Sequence, residues 1–136
     1  MSTVAQKISP AQYEEALLDD IAEFYDDPYG FIMYAFPWGE KDTPLEEFPD
    51  GPDKWQAEQL IRIGEAFKKD PLCTLREAIA SGHGIGKSAE VAWIVLWAMS
   101  TRPHLNGVVT ANTLPQLNTK TWQCVRCDNA VKVWPR

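Results

Sequence analysis

Two stretches of the chain carry apolar side chains at the spacing of an amphipathic helix. The first helix is expected to start after Ser9 as its N-cap, with Pro10 in the first turn and Gln12 completing a capping box. It is expected to end at Asp27-Pro28, because a residue before proline avoids helical angles. Its apolar face consists of Tyr13, Leu17, Ile21, Phe24 and Tyr25. We expect this face to pack on the chain's own core and the acidic face to be solvated.

The second helix is predicted from about Lys54 to Lys69, where two lysines suit the helix C-terminus. Its apolar positions are Trp55, Leu60, Ile61, Phe67 and, less regularly, Ile63. Between the two helices, a short apolar segment covers residues 31–36. Residues 39–53 are rich in glycine, proline and acidic residues, which is typical of a surface loop.

From residue 73 onward the pattern changes to short apolar runs separated by helices. Residues 73–80 (CTLREAIA) and 108–111 (VVTA) are predicted as strands. Residues 86–100 are apolar nearly all round, which predicts a buried helix, and a third helix is expected from Leu114 to about Cys127. The order strand, loop, helix, strand, helix predicts an α/β fold with a parallel sheet.

Charge is unevenly distributed along the 136 residues, 45% of which are hydrophobic. Residues 1–50 carry 12 acidic and two basic side chains, a net charge of −10, whereas residues 51–136 carry 11 basic and seven acidic ones, a net of +4. The whole chain has a formal charge of −6. A net acidic chain has no general attraction to nucleic acid, so any DNA contact would have to be local.

The cysteine pattern argues against a metal site, and the length of the apolar runs argues against a membrane span. Cys124 and Cys127 form a single CxxC, with no second pair and no histidine at ligand spacing, which favours unpaired thiols over zinc. The first ten residues lack the apolar core of a signal peptide. The longest apolar run, Val91 to Met99, is too short to cross a bilayer. We therefore expect a cytoplasmic protein.

The segment SGHGIGKS, residues 81–88, lies between a predicted strand and a predicted helix. In that context, glycines let backbone N–H groups surround phosphate oxygens, Lys87 reaches the β- and γ-phosphates, and the Ser88 hydroxyl binds Mg²⁺. The pattern G-x-x-x-x-G-K-[ST] is matched except at Ser81. The dinucleotide pattern G-x-G-x-x-G fails because it needs glycine at position 87. The alternative interpretation is a flexible turn that precedes Lys-Ser by chance.

Four stretches resemble the ATPase portion of bacteriophage terminase large subunits, the motors that package DNA into procapsids. They are YGFIMYAFPWGE (29–40), GPDKWQAEQLIRIGEAF (51–67), REAIASGHGIGKSAEVAWIVLWAMSTRP (76–103) and GVVTANTLPQLNTKTW (107–122). The resemblance implies an incomplete P-loop NTPase, with a parallel sheet flanked by helices. Residues 1–50 would form an acidic helical segment and loop, and residues 51–136 the N-terminal part of the ATPase domain.

The resemblance also implies a set of site residues and cofactors. Gln56, with Trp55 nearby, would recognise the adenine of ATP, and Ser88 would bind Mg²⁺. His83 would either donate a hydrogen bond to phosphate or simply be exposed. Thr110 and Gln116 lie in a family motif but receive no chemical role. The residues expected to hold the nucleotide are Gln56, Ser81, Gly82, His83, Gly84, Ile85, Gly86, Lys87 and Ser88.

In that family the motor acts in the bacterial host cytoplasm with double-stranded DNA, a terminase small subunit and the portal. This chain departs from the family after Ser88, where the only acidic residues are Glu90 and Asp128 and neither follows an apolar strand. The acidic strand needed for hydrolysis and the nuclease carboxylates are therefore missing. We expect a truncated ATPase portion, interrupted near Trp122, that binds ATP without efficient hydrolysis and binds DNA weakly by itself.

Two other functions fit parts of the sequence. A helicase-like DNA translocase also places a glutamine ahead of its phosphate loop, although the FPWG and TANT segments count against it. A small non-enzymatic protein is the other alternative. It would use the acidic N-terminal helix to occupy a surface of the packaging machinery.

Overall fold

The computed structural model describes residues 9–121 except 81 and 83. This part of the chain consists of helices joined by turns and irregular segments. The helices are α1 (Pro10–Ala22), α2 (Pro28–Ala35), α3 (Lys54–Lys69), α4 (Lys87–Thr101) and α5 (Leu114–Gln116), the last continued by a π-helix over Leu117–Thr121.

The predicted starts of α1 and α3 are confirmed, as is the end of α3. The Ser9 hydroxyl accepts from the Gln12 N–H at 3.3 Å, and the Gln12 side chain accepts from the Ser9 N–H at 3.0 Å, which completes the capping box. Helix α1 ends at Ala22, earlier than predicted. Pro28 instead begins α2, where the Asp27 carboxylate caps the helix by accepting from the Gly30 N–H at 2.9 Å.

The core lies where α2 packs against α3 and α4, with α1 packing on α4. Residues from both sides of the loop over 39–53 contribute to it, so the N-terminal helices and the later helices share one apolar interior. The predicted packing of the α1 apolar face is confirmed for Ile21, while Tyr13 stays exposed. The buried core cluster is Ile21, Phe31, Ile32, Ala35, Phe36, Leu60, Ile63 and Trp97.

Helix α4 is fixed to the core by its tryptophans. The Trp97 indole N–H donates to the Phe24 carbonyl at 2.7 Å, and the Trp93 ring packs edge-on against Phe36 at 6.1 Å between centroids. The other side of α4 faces solvent at Val91 and Met99. The helix is therefore buried on one side only, and not all round as its sequence predicted.

The predicted α/β fold with a parallel sheet is wrong for the described residues, which form no strand. Residues 73–80 and 108–111, both predicted as strands, are irregular segments. A strand is stable only when a neighbour takes up its backbone hydrogen bonds, and no neighbouring strand is found in the described part of the chain. Val108, predicted to lie in a strand, is 91% exposed.

Residues 73–80 are held against α3 by side chains instead. The Glu77 carboxylate accepts from Arg62 at 2.7 Å and from the Gln59 amide at 3.1 Å, and Leu75 packs on the core. The segment therefore has a defined path into the glycine loop without sheet hydrogen bonds.

The third helix predicted from Leu114 to about Cys127 is observed as α5 and the π-helix as far as Thr121. The remainder of that prediction lies outside the described residues. Among the described helices, none is both long and apolar enough to cross a membrane.

Leu60 and Ile61 are adjacent on α3 but differ in burial, which gives a matched test of the core. Leu60 is 0% exposed and Ile61 is 43% exposed. We expect Leu60→Ala to lower the free energy of unfolding by about 2–5 kcal/mol, because it removes buried methyl groups and leaves a cavity. Ile61→Ala is expected to lower the free energy of unfolding by well under half of that amount. Urea unfolding followed by tryptophan fluorescence measures both, and equal losses would contradict this core.

Candidate phosphate-binding loop

The glycine loop ends in a backbone conformation that leads directly into α4. Gly84 has a φ angle of 81° and Gly86 one of 84°, both in the left-handed region that favours glycine. Gly86 is the N-cap of α4, so the loop turns into the helix at that residue. The first N–H groups of a helix have no intrahelical acceptor and carry positive potential, which makes this end of α4 suited to an anion.

Lys87 and Ser88 are the first two residues of α4, and both side chains are half-buried. The Lys87 ammonium donates a hydrogen bond to the main-chain carbonyl of Gly82, so the loop closes over the lysine head group. The lysine and the loop glycines therefore lie together, as a phosphate-binding loop requires.

The side chain of Gln56 connects the start of α3 to the end of the loop. Gln56 is 4% exposed, and its amide oxygen accepts from the Asp53 N–H at 3.0 Å. Its amide nitrogen donates to the Gly86 carbonyl at 3.2 Å. The same carbonyl accepts from the Glu90 N–H at 3.1 Å, the first hydrogen bond of α4. Gln56 thus fixes the position of the residue from which α4 begins.

A cavity of about 240 Å³ opens beside the first turn of α4. Part of its lining comes from the irregular segment before α5 and from Gln116 in α5, and the π-helix that follows packs against α4. The cavity combines hydroxyl, amide and ammonium groups with small apolar side chains. Its lining consists of Lys87, Ser88, Val91, Val109, Thr110, Ala111, Asn112 and Gln116.

Glu90 lies one turn into α4 and is 0% exposed. Neither of its carboxylate oxygens has a hydrogen-bond partner among the described residues. Removal of the carboxylate from water raises the pKa of Glu90 to about 7. In the folded chain the Glu90 carboxyl is therefore mainly protonated below pH 7, and its ionised form destabilises the fold.

The structure brings together part of the predicted site. Gly82, Gly84, Gly86, Lys87 and Ser88 form the loop and the first turn of α4, with Ile85 half-buried between them. Gln56 reaches this loop from the side through Gly86 and does not line the cavity. Ser81, His83, Cys124 and Cys127 lie outside the described residues.

Sequence reasoning missed Asn112 as a site residue and gave no chemistry to Thr110 and Gln116. All three line the same cavity as Lys87 and Ser88. Their signal in the sequence is a cluster of hydroxyl and amide side chains directly after the apolar run Val108-Val109. The cluster follows the predicted strand 108–111, but no chemistry was assigned to it there.

Within the described residues, no three His, Cys, Asp or Glu side chains lie close enough to hold a metal ion by themselves. A magnesium ion that accompanies a phosphate needs fewer protein ligands, and a hydroxyl such as that of Ser88 suits it. The described site therefore fits a metal held jointly by protein and phosphate.

Comparison with protein-family models, curated proteins and solved structures finds no match to this chain.

Gly86 and Gly82 provide a matched test of the loop. A Cβ on Gly86 would lie 2.9 Å from the Gln56 amide nitrogen, at a φ of 84°, whereas a Cβ on Gly82 would meet nothing within 4 Å. We expect Gly86→Ala to destabilise the fold by about 1–3 kcal/mol, since it strains the backbone and displaces the Gln56 hydrogen bond. Gly82→Ala should change stability by about 0.5 kcal/mol or less. Thermal unfolding checks both, and equal effects would contradict the role of Gly86.

Glu90 makes the stability of the fold depend on pH. Below pH 4.5 the carboxyl is protonated in both states; above that pH the unfolded chain loses its proton while the folded chain keeps it until about pH 7. The free energy of unfolding should therefore fall by up to about 3 kcal/mol as the pH rises from 4.5 to 7. Above pH 7 it should level off.

Glu90→Gln should remove this fall and stabilise the chain at pH 8. Urea unfolding at pH 5 and pH 8 measures the effect. The exposed Glu65→Gln serves as the control and should leave the pH slope unchanged. A Glu90→Gln variant with the wild-type slope would show that the carboxylate is not buried.

Proposed function

We propose that the glycine loop and the first turn of α4 bind the phosphate groups of ATP together with Mg²⁺. The observation that carries this proposal is the joint position of Lys87 and Ser88. They occupy the first two positions of α4, directly after Gly86 with its positive φ angle, and both line one cavity. A cation, a hydroxyl and the N-terminal N–H groups of a 15-residue helix then converge on the same space.

Each group has a distinct part in binding. A phosphate oxygen replaces the Gly82 carbonyl as the partner of the Lys87 ammonium, which exchanges a neutral acceptor for a charged one. The Ser88 hydroxyl would be the protein ligand of a magnesium ion. When bound, that ion neutralises part of the phosphate charge. Gln56 donates to the Gly86 carbonyl and so fixes the residue from which α4 begins.

Binding is proposed without efficient hydrolysis. Phosphoryl transfer to water needs a carboxylate or amide that orients the water, and usually an acidic metal ligand. Among the described residues that line the cavity, none is acidic. Glu90, the nearest acid along α4, is buried and lies outside the cavity lining.

The biological role proposed here is that of the ATP-binding part of a terminase-like DNA-packaging motor. It is supported by the four sequence stretches that resemble terminase large subunits, which include both the glycine loop and the TANT segment that faces it. The net charge of −6 gives the chain no general affinity for DNA, so the DNA, small-subunit and portal contacts of such a motor are assigned to other surfaces or other chains.

Calorimetric titration with Mg-ATP tests the binding proposal. We expect saturable binding by the wild-type chain and at least a tenfold loss in Lys87→Ala, because a charge-assisted hydrogen bond contributes about 1.5–3 kcal/mol. Lys69→Ala, which removes an exposed lysine at the end of α3, is the matched control and should bind like wild type. Ser88→Ala should reduce the dependence of binding on Mg²⁺.

Hydrolysis is assayed in the same samples. We expect any turnover to be too slow to deplete the ATP during the titration. Equal binding by wild type and Lys87→Ala, or no binding by the wild-type chain, would contradict the proposed function.

A further inference from the structure

We propose that Glu77 is a positioning residue for the glycine loop, because it anchors the entry of the loop to the same helix that anchors its exit. The exit is held by Gln56, which donates to the Gly86 carbonyl. The entry is held by Glu77, whose carboxylate accepts from Gln59 and Arg62 of α3. This proposal rests on the proposed phosphate binding at the loop and adds a residue on which the affinity for phosphate depends.

Gln59, Arg62 and Glu77 form a closed set of three hydrogen bonds. The Gln59 amide nitrogen donates to Glu77 Oε2 at 3.1 Å, and the Arg62 guanidinium donates to the same oxygen at 2.7 Å. Arg62 also donates to the Gln59 amide oxygen at 2.8 Å. Gln59 is 8% exposed, and the side chain of Glu77 is 25% exposed. Because hydrogen bonds to a charged group are stronger than neutral ones, this set restricts the position of Glu77.

The two anchors lie on one face of α3. Gln56 and Gln59 are three residues apart in the helix, and both are buried. Side chains at this spacing are neighbours on the helix surface, with Cβ atoms about 5–6 Å apart. The chain between the anchored residues, 78–85, is therefore attached at its two ends to neighbouring positions of one helix. Helix α3 thereby sets the separation of the two ends of the glycine loop.

Anchored ends lower the entropy that the loop loses when it closes around an anion. Residues 73–80 form neither helix nor strand, so side-chain contacts fix the entry of the loop. A flexible loop loses conformational entropy when a ligand orders it, and this loss weakens binding. When both ends are fixed in the folded chain, part of that loss has already occurred. The N–H groups of Gly82, Gly84 and Gly86 are then closer to the arrangement that binds phosphate.

The bonds of Glu77 are not the only contacts that hold residues 73–80 on α3. The Cys73 N–H donates to the Asp70 carbonyl at 3.0 Å, and Leu75 packs on the core. These contacts hold the first half of the segment, whereas Glu77 holds the half next to the loop. An ion pair whose arginine side chain is 61% exposed adds little to stability. Loss of Glu77 is therefore expected to affect the loop more than the fold.

Calorimetric titration of charge-matched variants with Mg-ATP tests the proposal. Glu77→Ala should weaken binding about tenfold, because the ligand then has to order the entry of the loop. Glu77→Gln keeps an acceptor for both donors and should bind within about threefold of wild type. Glu58 is the control, since it pairs with Lys54 at 3.8 Å on the exposed side of α3. Glu58→Ala changes the net charge equally and should bind like wild type.

Amide spectra of the ¹⁵N-labelled chain without nucleotide examine the loop independently of binding. Glu77→Ala should shift the amide signals of Gly82, Gly84 and Gly86, whereas Glu58→Ala should leave them unchanged. Urea unfolding of the same variants establishes that they are folded under the conditions of the titration.

Arg62→Ala provides a second test if Glu77→Ala fails to fold. Its control is Lys54→Ala, which removes an exposed cation from the same helix. Arg62→Ala should weaken Mg-ATP binding more than Lys54→Ala does. Wild-type affinity in Glu77→Ala, equal effects of Arg62→Ala and Lys54→Ala, or unshifted loop amides in Glu77→Ala would overturn the anchor, while binding abolished by Lys87→Ala still supports the proposed function. No binding of Mg-ATP by the wild-type chain overturns both.

Discussion

The geometry of the loop depends on one buried amide, that of Gln56. Its oxygen accepts from the Asp53 N–H and its nitrogen donates to the Gly86 carbonyl, so the first turn of α3 and the N-cap of α4 are joined over 30 residues of sequence. Because the Gly86 carbonyl also accepts the first hydrogen bond of α4, the direction of that helix is set at the same atom. Loss of this amide would remove the hydrogen bond between the loop and α3 but would not change the residues that line the cavity.

Helix α4 combines two requirements that oppose each other. Its Trp97 side must be buried to hold α1, α2 and α3 together, whereas the proposed function needs Lys87 and Ser88 in its first turn to stay open to a ligand. Glu90 lies at the boundary, buried with the core and without a hydrogen-bond partner in the described residues. An ionised carboxylate there opposes folding, so Glu90 destabilises the fold as the pH rises towards 7, close to the end of α4 that carries the candidate site.

The elements predicted correctly are those whose signals are local. Helix α1 is specified by the capping box of Ser9 and Gln12, and α3 by its apolar spacing and terminal lysines, all within a few residues of each helix. Residues 73–80 were predicted wrongly because the stability of a strand depends on a partner elsewhere in the chain. For the same reason, the glycine loop was visible in the sequence, but the Gln56 contact and the wall formed by Asn112 and Gln116 were not.

The central claim is that the N–H groups between Gly82 and Lys87 bind phosphate. Amide chemical shifts of the assigned ¹⁵N-labelled chain, followed while Mg-pyrophosphate is added, test it most directly. We expect saturable shifts of the Gly82, Gly84, Gly86 and Lys87 amides. The amides of Gly39 and Gly107, which lie outside the loop, should not shift. Absence of shifts in the loop, or shifts of similar size at Gly39 and Gly107, would contradict it.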